Sequence, residues 1–268
     1  MNSSDISTTA IISHKAVLGK DVKIGAYSII GDNVQIGDGC IIMHHTIIDQ
    51  NTRIGKECKI FPFCSIGTEP QDITFKGEDT FIEIGDNNII REFTSINRGT
   101  QKGGRLTSIG NNNYLMVYTH IAHDCKIGNN IIFINGATLA GHVEVEDSAV
   151  VGAFSSVSQF VRIGRNAYIG GYSIVLQDIL PFAKVSQSRD YYNFYGPNSI
   201  GMMRNGIDRE FINRIKEVFN IIFKSGLNTT QAIDKLKKDF KNSEEAKIVI
   251  DFITKTKRGI FKNFKFNV

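Results

Sequence analysis

The stretch LGKDVKIGAYSIIGDNVQIGDGCIIMHHTIIDQNTRIGKECKIFPFCSI, Leu18 to Ile66, carries an aliphatic residue at every sixth position. The nine positions are Leu18, Ile24, Ile30, Ile36, Ile42, Ile48, Ile54, Ile60 and Ile66. The same period returns at Ile84, Ile90 and Ile96, and it then runs through twelve aliphatic or aromatic positions from Ile109 to Val175. Most of these residues have a small or β-branched residue two places earlier, so alternate side chains point inward. The pattern predicts a solenoid of very short parallel strands.

The four cysteines all occupy the small-residue position of this repeat. They are Cys40, Cys58, Cys64 and Cys125, each two places before one of the periodic aliphatic residues. We therefore interpret them as buried small side chains in a reducing compartment, rather than as a disulfide pair or a cysteine metal site.

Two segments interrupt the repeat. They are TEPQDITFKGEDTF, residues 68–81, and RGTQKGGRLT, residues 98–107. Loops that leave a regular solenoid are common places for binding groups, so we expect substrate contacts in both inserted loops.

Beyond Val175 the six-residue period fails and helical spacing replaces it. Asp208 can cap a helix whose apolar stripe contains Phe211, Ile215, Val218, Phe219 and Ile222, and Gly226 can end that helix. Thr229 or Thr230 begins a lysine-rich helix, and Ser243 begins a third. The predicted fold is mostly β: a parallel β-helix over residues 1–190 with inserted loops 68–81 and 98–107, followed by a small α-helical domain over residues 191–268.

Composition limits the location and the partners. Neither end shows a signal segment, and the chain lacks an apolar run of the roughly 20 residues that a membrane span needs, so we expect a soluble cytoplasmic protein. The net charge is +4, but residues 180–268 hold 17 Lys and Arg against 9 Asp and Glu. This asymmetry suggests an acidic partner for the C-terminal part, although a lysine-rich solvated surface explains it equally well.

The register of the repeat brings one set of polar residues together. If three repeats make one coil, positions 18 apart are stacked, and His123, Gly141 and Gln159 then form one column at a corner of the solenoid. An imidazole can act as a base near neutral pH, and a glycine lets a ligand approach a backbone N–H closely. This combination suits acyl transfer, in which the base removes a proton and the N–H stabilises an oxyanion.

Two other interpretations of the histidines stay open from the residues alone. His120, His123 and His142 could ligate zinc, but no carboxylate or cysteine evidently completes such a site, and we predict no metal. His123 could also be a packed structural side chain, as single histidines on repetitive scaffolds usually are.

The segments HIAHDCKIGNNIIFINGATLAGHV (residues 120–143), PQDITFKGE (70–78) and GMMRNGIDRE (201–210) resemble those of the UDP-N-acetylglucosamine O-acyltransferases of lipid A biosynthesis. The resemblance runs essentially from end to end. It implies a left-handed β-helix, a homotrimer with active sites between neighbouring chains, and no metal or redox cofactor. It also implies transfer of a 3-hydroxyacyl chain from acyl carrier protein to the UDP-sugar.

The same resemblance assigns roles to individual residues. His123 corresponds to the general base, Asp124 modulates it, and Gly141 supplies the N–H that faces the thioester carbonyl. The residues implied in substrate binding are Gln71 and Asp72 for the sugar nucleotide, His120, His142 and Gln159 in the same cleft, Asn198 and Arg204 for the uridine and phosphates, and Gly171 for acyl-chain length.

Three positions depart from the family pattern: Thr74 and Asn97 replace a common lysine and histidine, and Asn205 replaces a second arginine. They leave open the affinity for the diphosphate and whether the acceptor is a 3-hydroxyl or a 3-amino group. Two rivals are the N-acyltransferase two steps later in the pathway and a non-catalytic hexapeptide scaffold. The first typically has a separate N-terminal domain, for which this chain has no room because the repeat begins by about residue 11. A non-catalytic scaffold would not require His123, Gly141 and Gln159 in one stacked column.

Overall fold

The computed structural model describes residues 5–187 and 192–260. Its strands are β1 (Ile11–Ile12), β2 (Val17–Leu18), β3 (Lys23–Ile24), β4 (Ile29–Ile30), β5 (Gln35–Ile36), β6 (Ile41–Ile42), β7 (Ile47–Ile48), β8 (Thr52–Ile54), β9 (Lys59–Ile60), β10 (Ser65–Thr68), β11 (Phe81–Ile84), β12 (Ile89–Ile90), β13 (Ser95–Asn97), β14 (Leu106–Ile109), β15 (Tyr114–Leu115), β16 (His120–Ile121), β17 (Lys126–Ile127), β18 (Ile132–Phe133), β19 (Thr138–Leu139), β20 (Glu144–Val145), β21 (Val150–Val151), β22 (Ser156–Val157), β23 (Arg162–Ile163), β24 (Tyr168–Ile169), β25 (Ile174–Val175), β26 (Ala183–Gln187) and β27 (Tyr192–Pro197). Its helices are α1 (Ser199–Arg204), α2 (Arg209–Lys224), α3 (Thr229–Asp239) and α4 (Glu244–Thr254).

Every third strand joins the same sheet, so the chain winds as a three-sided parallel β-helix. Sheet I has the order β1-β4-β7-β10-β13-β16-β19-β22-β25, sheet II β2-β5-β8-β11-β14-β17-β20-β23, and sheet III β3-β6-β9-β12-β15-β18-β21-β24-β26-β27. Residues 18 apart pair where no loop intervenes, as His120 pairs with Thr138 and Thr138 with Ser156. All these pairings are parallel except that of β26 with β27. The fold class predicted from the six-residue period is confirmed.

The core is the inward column of periodic residues together with the small residues two places before them. Ile24, Ile66 and Leu139 are at most 1% exposed. The four cysteines are also buried and unpaired, as predicted. Burial raises the pKa of the Cys64 and Cys125 thiols to about 12, which keeps them protonated and unreactive.

The corners between sheets share one backbone geometry. Three places after a periodic residue, the chain adopts a positive φ, and this position is most often held by a residue other than glycine. At the corner between sheets I and II these residues include Asp124, His142 and Phe160, with φ of 61°, 62° and 64°. Their side chains therefore form a column of their own, one place after the column of His123, Gly141 and Gln159.

Both predicted loops leave the solenoid where the repeat breaks. The first lies between the end of β10 at Thr68 and the start of β11 at Phe81, and the second between Asn97 and Leu106. We call them loop 1 (residues 68–81) and loop 2 (residues 98–107), as in the sequence.

The C-terminal helices begin largely as predicted. Asp208 caps α2, Ser243 caps α4, and α3 begins at Thr229, as predicted, with Asn228 as its cap through a reciprocal bond pair with Gln231. The short helix α1 and the β26–β27 hairpin were not predicted. The predicted domain boundary at residue 190 lies outside the described residues, and β27, which follows it, still belongs to sheet III. In the described part of the chain, the helices are too short or too polar to cross a membrane.

Candidate active site at the corner of sheets I and II

His123 lies in the turn between β16 and β17, and its side chain is only 7% exposed. Its Nδ1 is 2.8 Å from Oδ2 of Asp124. A carboxylate only accepts hydrogen bonds, so Nδ1 carries the proton in this pairing. In the neutral ring the lone pair then lies on the other nitrogen, Nε2, as a general base needs.

Asp124 is held by loop 2. The backbone N–H of Thr100 donates to Oδ1 of Asp124 at 2.8 Å, and its hydroxyl donates to Oδ2 at 2.7 Å. Gly103 packs so closely on this carboxylate that a side chain there would collide with it. Burial disfavours the charged form of Asp124, but the bonds from His123 and Thr100 outweigh burial and hold its pKa below the usual value. Asp124 is therefore an ionised, fully anchored partner for His123.

Gly141 faces the ring of His123. A Cβ added to Gly141 would lie 2.5 Å from Cε1 and 2.8 Å from Nε2 of His123, so only glycine fits. Among the hydrogen bonds of the described residues, the N–H of Gly141 donates to no acceptor. An unused N–H beside a basic nitrogen is the arrangement that an oxyanion site requires.

These groups open onto a cavity of about 410 Å³ on the outer face of sheet I. Its lining includes Gln71, His120, His123, Gly141, Ser156 and Gln159. Desolvation in this cleft, with a smaller contribution from neighbouring His123, lowers the pKa of His120, and its Nδ1 lies 2.8 Å from Oγ of Ser95. A larger concavity on sheet II, about 660 Å³, is lined mostly by the repeat's own glycine and aliphatic residues and lacks such a cluster.

His142 was predicted to line the same cleft as His123, but it does not line this cavity. It borders a neighbouring cavity of about 450 Å³ together with Asp124, Lys126 and Arg162. Its ring stacks on Phe160 at 4.5 Å and meets the ring of His123 edge-on at 5.3 Å. The reason is the positive-φ position, which turns the His142 side chain to the other side of the corner. Burial lowers the pKa of His142 despite the attraction of Asp124.

Of the three histidines considered as zinc ligands, only His123 and His142 belong to a group that could hold a metal ion. The third member of that group is Asp124 rather than His120, and the potential ligand atoms lie within 4.8 Å of one another. Oδ2 of Asp124 already accepts bonds from Thr100 and His123, so a cation would have to displace them.

Loop 1 reaches the cavity through Gln71. At its root, buried Arg98 donates to the carbonyl of Gly67 at 3.0 Å, and Asn97 donates to the carbonyl of Glu69 at 2.8 Å. Neighbouring Asp72 accepts two 2.8 Å bonds on Oδ1, from the N–H and the hydroxyl of Thr74. The pKa of Asp72 is lowered, first by these two bonds from Thr74 and to a smaller extent by the positive charge of Lys102.

The remaining predicted residues lie elsewhere in the chain. Asn198 is 7% exposed, caps α1 by accepting from Gly201, and donates to the carbonyl of Asn166 at 3.0 Å. Arg204 is exposed at the end of α1, and neither residue lines the two cavities beside His123. Gly171 is exposed at the corner between sheets III and I, where its φ is not in the left-handed region. Gly171 likewise lines neither of these two cavities.

Thr100, which anchors Asp124, was missed by sequence reasoning. The six-residue register relates residues within coils, whereas Thr100 lies in a loop that leaves the register. The only available signal was that this loop interrupts the repeat.

The hexapeptide repeats, together with a cleft that contains a histidine–carboxylate pair and a glycine N–H without an acceptor, are typical of a hexapeptide-repeat transferase. The model for bacterial transferase hexapeptide repeats matches residues 15–50 and 106–141, and the model for domain 2 of UDP N-acetylglucosamine O-acyltransferase matches residues 178–261. The chain belongs to the family of acyl-[acyl-carrier-protein]–UDP-N-acetylglucosamine O-acyltransferases.

The similarity spans nearly the whole chain. The relative from Thermodesulfovibrio yellowstonii is 49% identical over 96% of this chain and 99% of its own, and that from Aliarcobacter butzleri is 48% identical over 98% and 100%. The solved structure of LpxA from Acinetobacter baumannii is 43% identical and superposes with a TM-score of 0.91 over 95% of this chain and 98% of its own. The Francisella novicida UDP-N-acetylglucosamine acyltransferase is 37% identical, with a TM-score of 0.94 over 97% and 95%.

Proposed function

We propose that the protein transfers a 3-hydroxyacyl chain from acyl carrier protein to the 3-position of UDP-N-acetylglucosamine, the first step of lipid A biosynthesis. Relatives that share nearly half of its residues over their whole length carry the corresponding activity in their names. The observation that carries the mechanism is the His123–Asp124 pair beside the unused N–H of Gly141.

The reaction follows from these atoms. Nε2 of His123 takes the proton of the acceptor hydroxyl as its oxygen attacks the thioester carbonyl carbon. The oxyanion that forms accepts a hydrogen bond from the N–H of Gly141, and Asp124 stabilises the imidazolium. Collapse breaks the carbon–sulfur bond, and the imidazolium returns the proton to the departing thiolate. The step requires no metal or redox cofactor, because the chain itself holds every group that moves a proton or stabilises charge.

We further propose that three copies assemble around one axis. Sheet II is charged on its outer face, with pairs such as Arg53–Glu83 and Lys126–Glu144. Sheets I and III together expose more apolar side chains, including Ile29, Ile47 and Ile132, than sheet II, where Val17 and Phe81 are exposed. Exposed apolar surface of this kind marks interaction sites.

The corner between sheets III and I carries a ladder of exposed rings. Its members are Tyr27, His45, Phe63, Phe93, Tyr118, Phe154 and Tyr172. A cyclic assembly joins two different faces of each chain, so the corner shared by sheets I and III would point to the axis. Sheet I of one chain would then face sheet III of the next, which carries Gly171, Asn198 and Arg204 at or beyond its strands.

The acyl donor would dock on the basic C-terminal part. Helix α3 exposes Lys235, Lys237 and Lys238, and only Lys235 has an acidic partner within its own helix, Asp239 at 2.7 Å. An acidic carrier protein would be attracted to this surface, and added salt would weaken the attraction. Such a donor places the reaction in the cytoplasm.

One assay tests the function. Purified protein receives a panel of 3-hydroxyacyl carrier proteins with UDP-N-acetylglucosamine or its 3-amino analogue, at two salt concentrations, and products are identified by mass spectrometry. We expect an ester of UDP-N-acetylglucosamine, an apparent donor affinity that falls with salt, and no effect of chelator. His123→Ala should lose roughly 10²–10⁴-fold in rate while remaining folded. Near-full activity of this variant would overturn the mechanism.

A further inference from the structure

Loops 1 and 2 meet through one side chain, that of Lys102. Its Nζ donates to Oγ1 of Thr74 at 3.1 Å, and the same hydroxyl donates to Oδ1 of Asp72 at 2.8 Å. The hydrogen-bond chain therefore runs from an ammonium on loop 2, through a hydroxyl on loop 1, to the carboxylate of Asp72.

The ammonium of Lys102 has unused capacity. A lysine has three N–H donors, and Thr74 takes one of them. Among the described residues, no carboxylate lies within ion-pair distance of Lys102. The side chain is exposed, so two donors remain for a ligand.

Both loops that Lys102 connects also contact the catalytic groups. Gln71, next to Asp72, lines the cavity that holds His123 and Gly141. Loop 2 also clamps Asp124 through Thr100, two residues before Lys102. Lys102 is thus linked, through Thr74 and Asp72, to the part of loop 1 that borders the cavity at Gln71.

We propose that Lys102 binds the acceptor substrate by donating hydrogen bonds to oxygens of its sugar ring. This inference rests on the proposed function, because the acceptor oxygen must reach Nε2 of His123 and the ring that carries it then fills the space between His123 and loop 1. Lys102 of loop 2 brings its ammonium to Thr74 of loop 1, beside Asp72 and Gln71.

The test measures binding without the acyl donor. Calorimetric titration with UDP-N-acetylglucosamine should show that Lys102→Met weakens binding about tenfold, as expected for a charge-assisted hydrogen bond. Binding of UDP, which lacks the sugar, should stay unchanged. In turnover, KM for the UDP-sugar should rise by a similar factor with little change in kcat.

Lys76→Met is the matched control, because it removes the same charge from loop 1 without a contact to Thr74. The double variant Thr74→Lys, Lys102→Met should recover part of the lost affinity, since it moves the ammonium to the other loop. Unchanged sugar-nucleotide binding in Lys102→Met, an equal loss with UDP, or an equal loss in Lys76→Met would each overturn the proposal. Failure of the proposed function itself would show separately, as absence of acyl product from the unaltered enzyme.

Discussion

At the scale of single residues, the site depends on a carboxylate whose oxygens are both occupied. Asp124 accepts two bonds from Thr100 and one from His123. A carboxylate held in this way keeps the imidazole in one orientation and one tautomer. Thr100 is therefore a positioning residue that acts on the reaction through Asp124 and His123.

Thr100→Val removes the hydroxyl but preserves the shape of the side chain. We expect kcat to fall roughly tenfold, because Asp124 loses one anchor, with little change in KM. Thr100→Ser keeps the hydroxyl and should retain most of the activity. Equal rates for the valine and serine variants would show that this hydroxyl does not position the base.

The hydrogen bond from the Thr100 hydroxyl to Asp124 should also make the thermal stability of the protein depend on pH. The lowered pKa of Asp124 means that its contribution to stability is present at neutral pH and is lost as the pH falls through that pKa. Losing the Thr100 hydroxyl brings the pKa back toward its ordinary value. The thermal destabilisation of Thr100→Val should therefore be largest near pH 7 and shrink below about pH 4.

The sequence predicts the relative positions of site residues only where they belong to the six-residue repeat. A spacing of 18 residues predicted that His123, Gly141 and Gln159 share a corner, and all three line one cavity. His142 is only one position further on, yet it points to the other side, because the count of residues does not show which turn position has a positive φ. Thr100 and Lys102 act across loops whose paths no period describes.

At the scale of the coil, some glycines are required because a side chain would collide with the next coil, whereas others have free space where a side chain would lie. A Cβ on Gly152 would lie 2.5 Å from the backbone N of Gly171 and from the carbonyl oxygen of Ile169. A Cβ on Gly171 would meet only Ala153, at 3.2 Å or more. A side chain at Gly171 would therefore need only a small shift at Ala153, which argues against a purely conformational role for that glycine.

Gly171→Met tests whether this position limits the acyl chain. By the family resemblance we expect the unaltered enzyme to favour long donors. A bulky side chain should obstruct them by about 1–3 kcal/mol and leave shorter donors unaffected or improved. The measurement is the ratio of kcat/KM for long and short 3-hydroxyacyl carrier proteins.

Gly152→Ala provides the structural comparison. Overpacking between coils should destabilise it by about 1–3 kcal/mol, and activity with all donors should fall together. If Gly171→Met behaves in the same way, with an unchanged ratio of long to short donors, the assignment of Gly171 to acyl-chain length is wrong.

At the scale of the whole molecule, the distribution of apolar surface predicts the assembly. Within the aromatic ladder, Phe93 stacks between Phe63 at 5.2 Å and Tyr118 at 4.9 Å, and it is 45% exposed in the single chain. Sequence alone predicted the solenoid that builds this ladder, but not which corner it occupies. That needed the order of the three sheets.

In the proposed trimer, Phe93→Glu would bring three carboxylates together near the axis, where their repulsion is poorly screened, and it should dissociate the assembly. Analytical ultracentrifugation should report a trimer for the unaltered protein and smaller species for the variant, with loss of activity. Val17→Glu is the control, since Val17 is an exposed apolar residue on sheet II. A trimeric Phe93→Glu variant, or a monomeric unaltered protein, would contradict this arrangement.

Because the chain winds with a fixed number of residues per coil, the effect of an insertion or deletion depends on whether its length is a whole number of coils. Each coil of 18 residues advances the β-helix by about 4.8 Å and returns every residue to its own sheet. Duplicating or deleting one full coil between Gly141 and Gly171 would change the distance between them in a single large step and keep every face in phase. An insertion of six residues would instead rotate the entire downstream chain by one face, and would carry Gly171, Asn198 and Arg204 away from the cleft that they would face in the proposed trimer. Insertions or deletions of whole coils therefore change the distance between Gly141 and Gly171 in steps, and single side chains adjust it within a step. Insertions of part of a coil move the downstream residues to a different face of the β-helix.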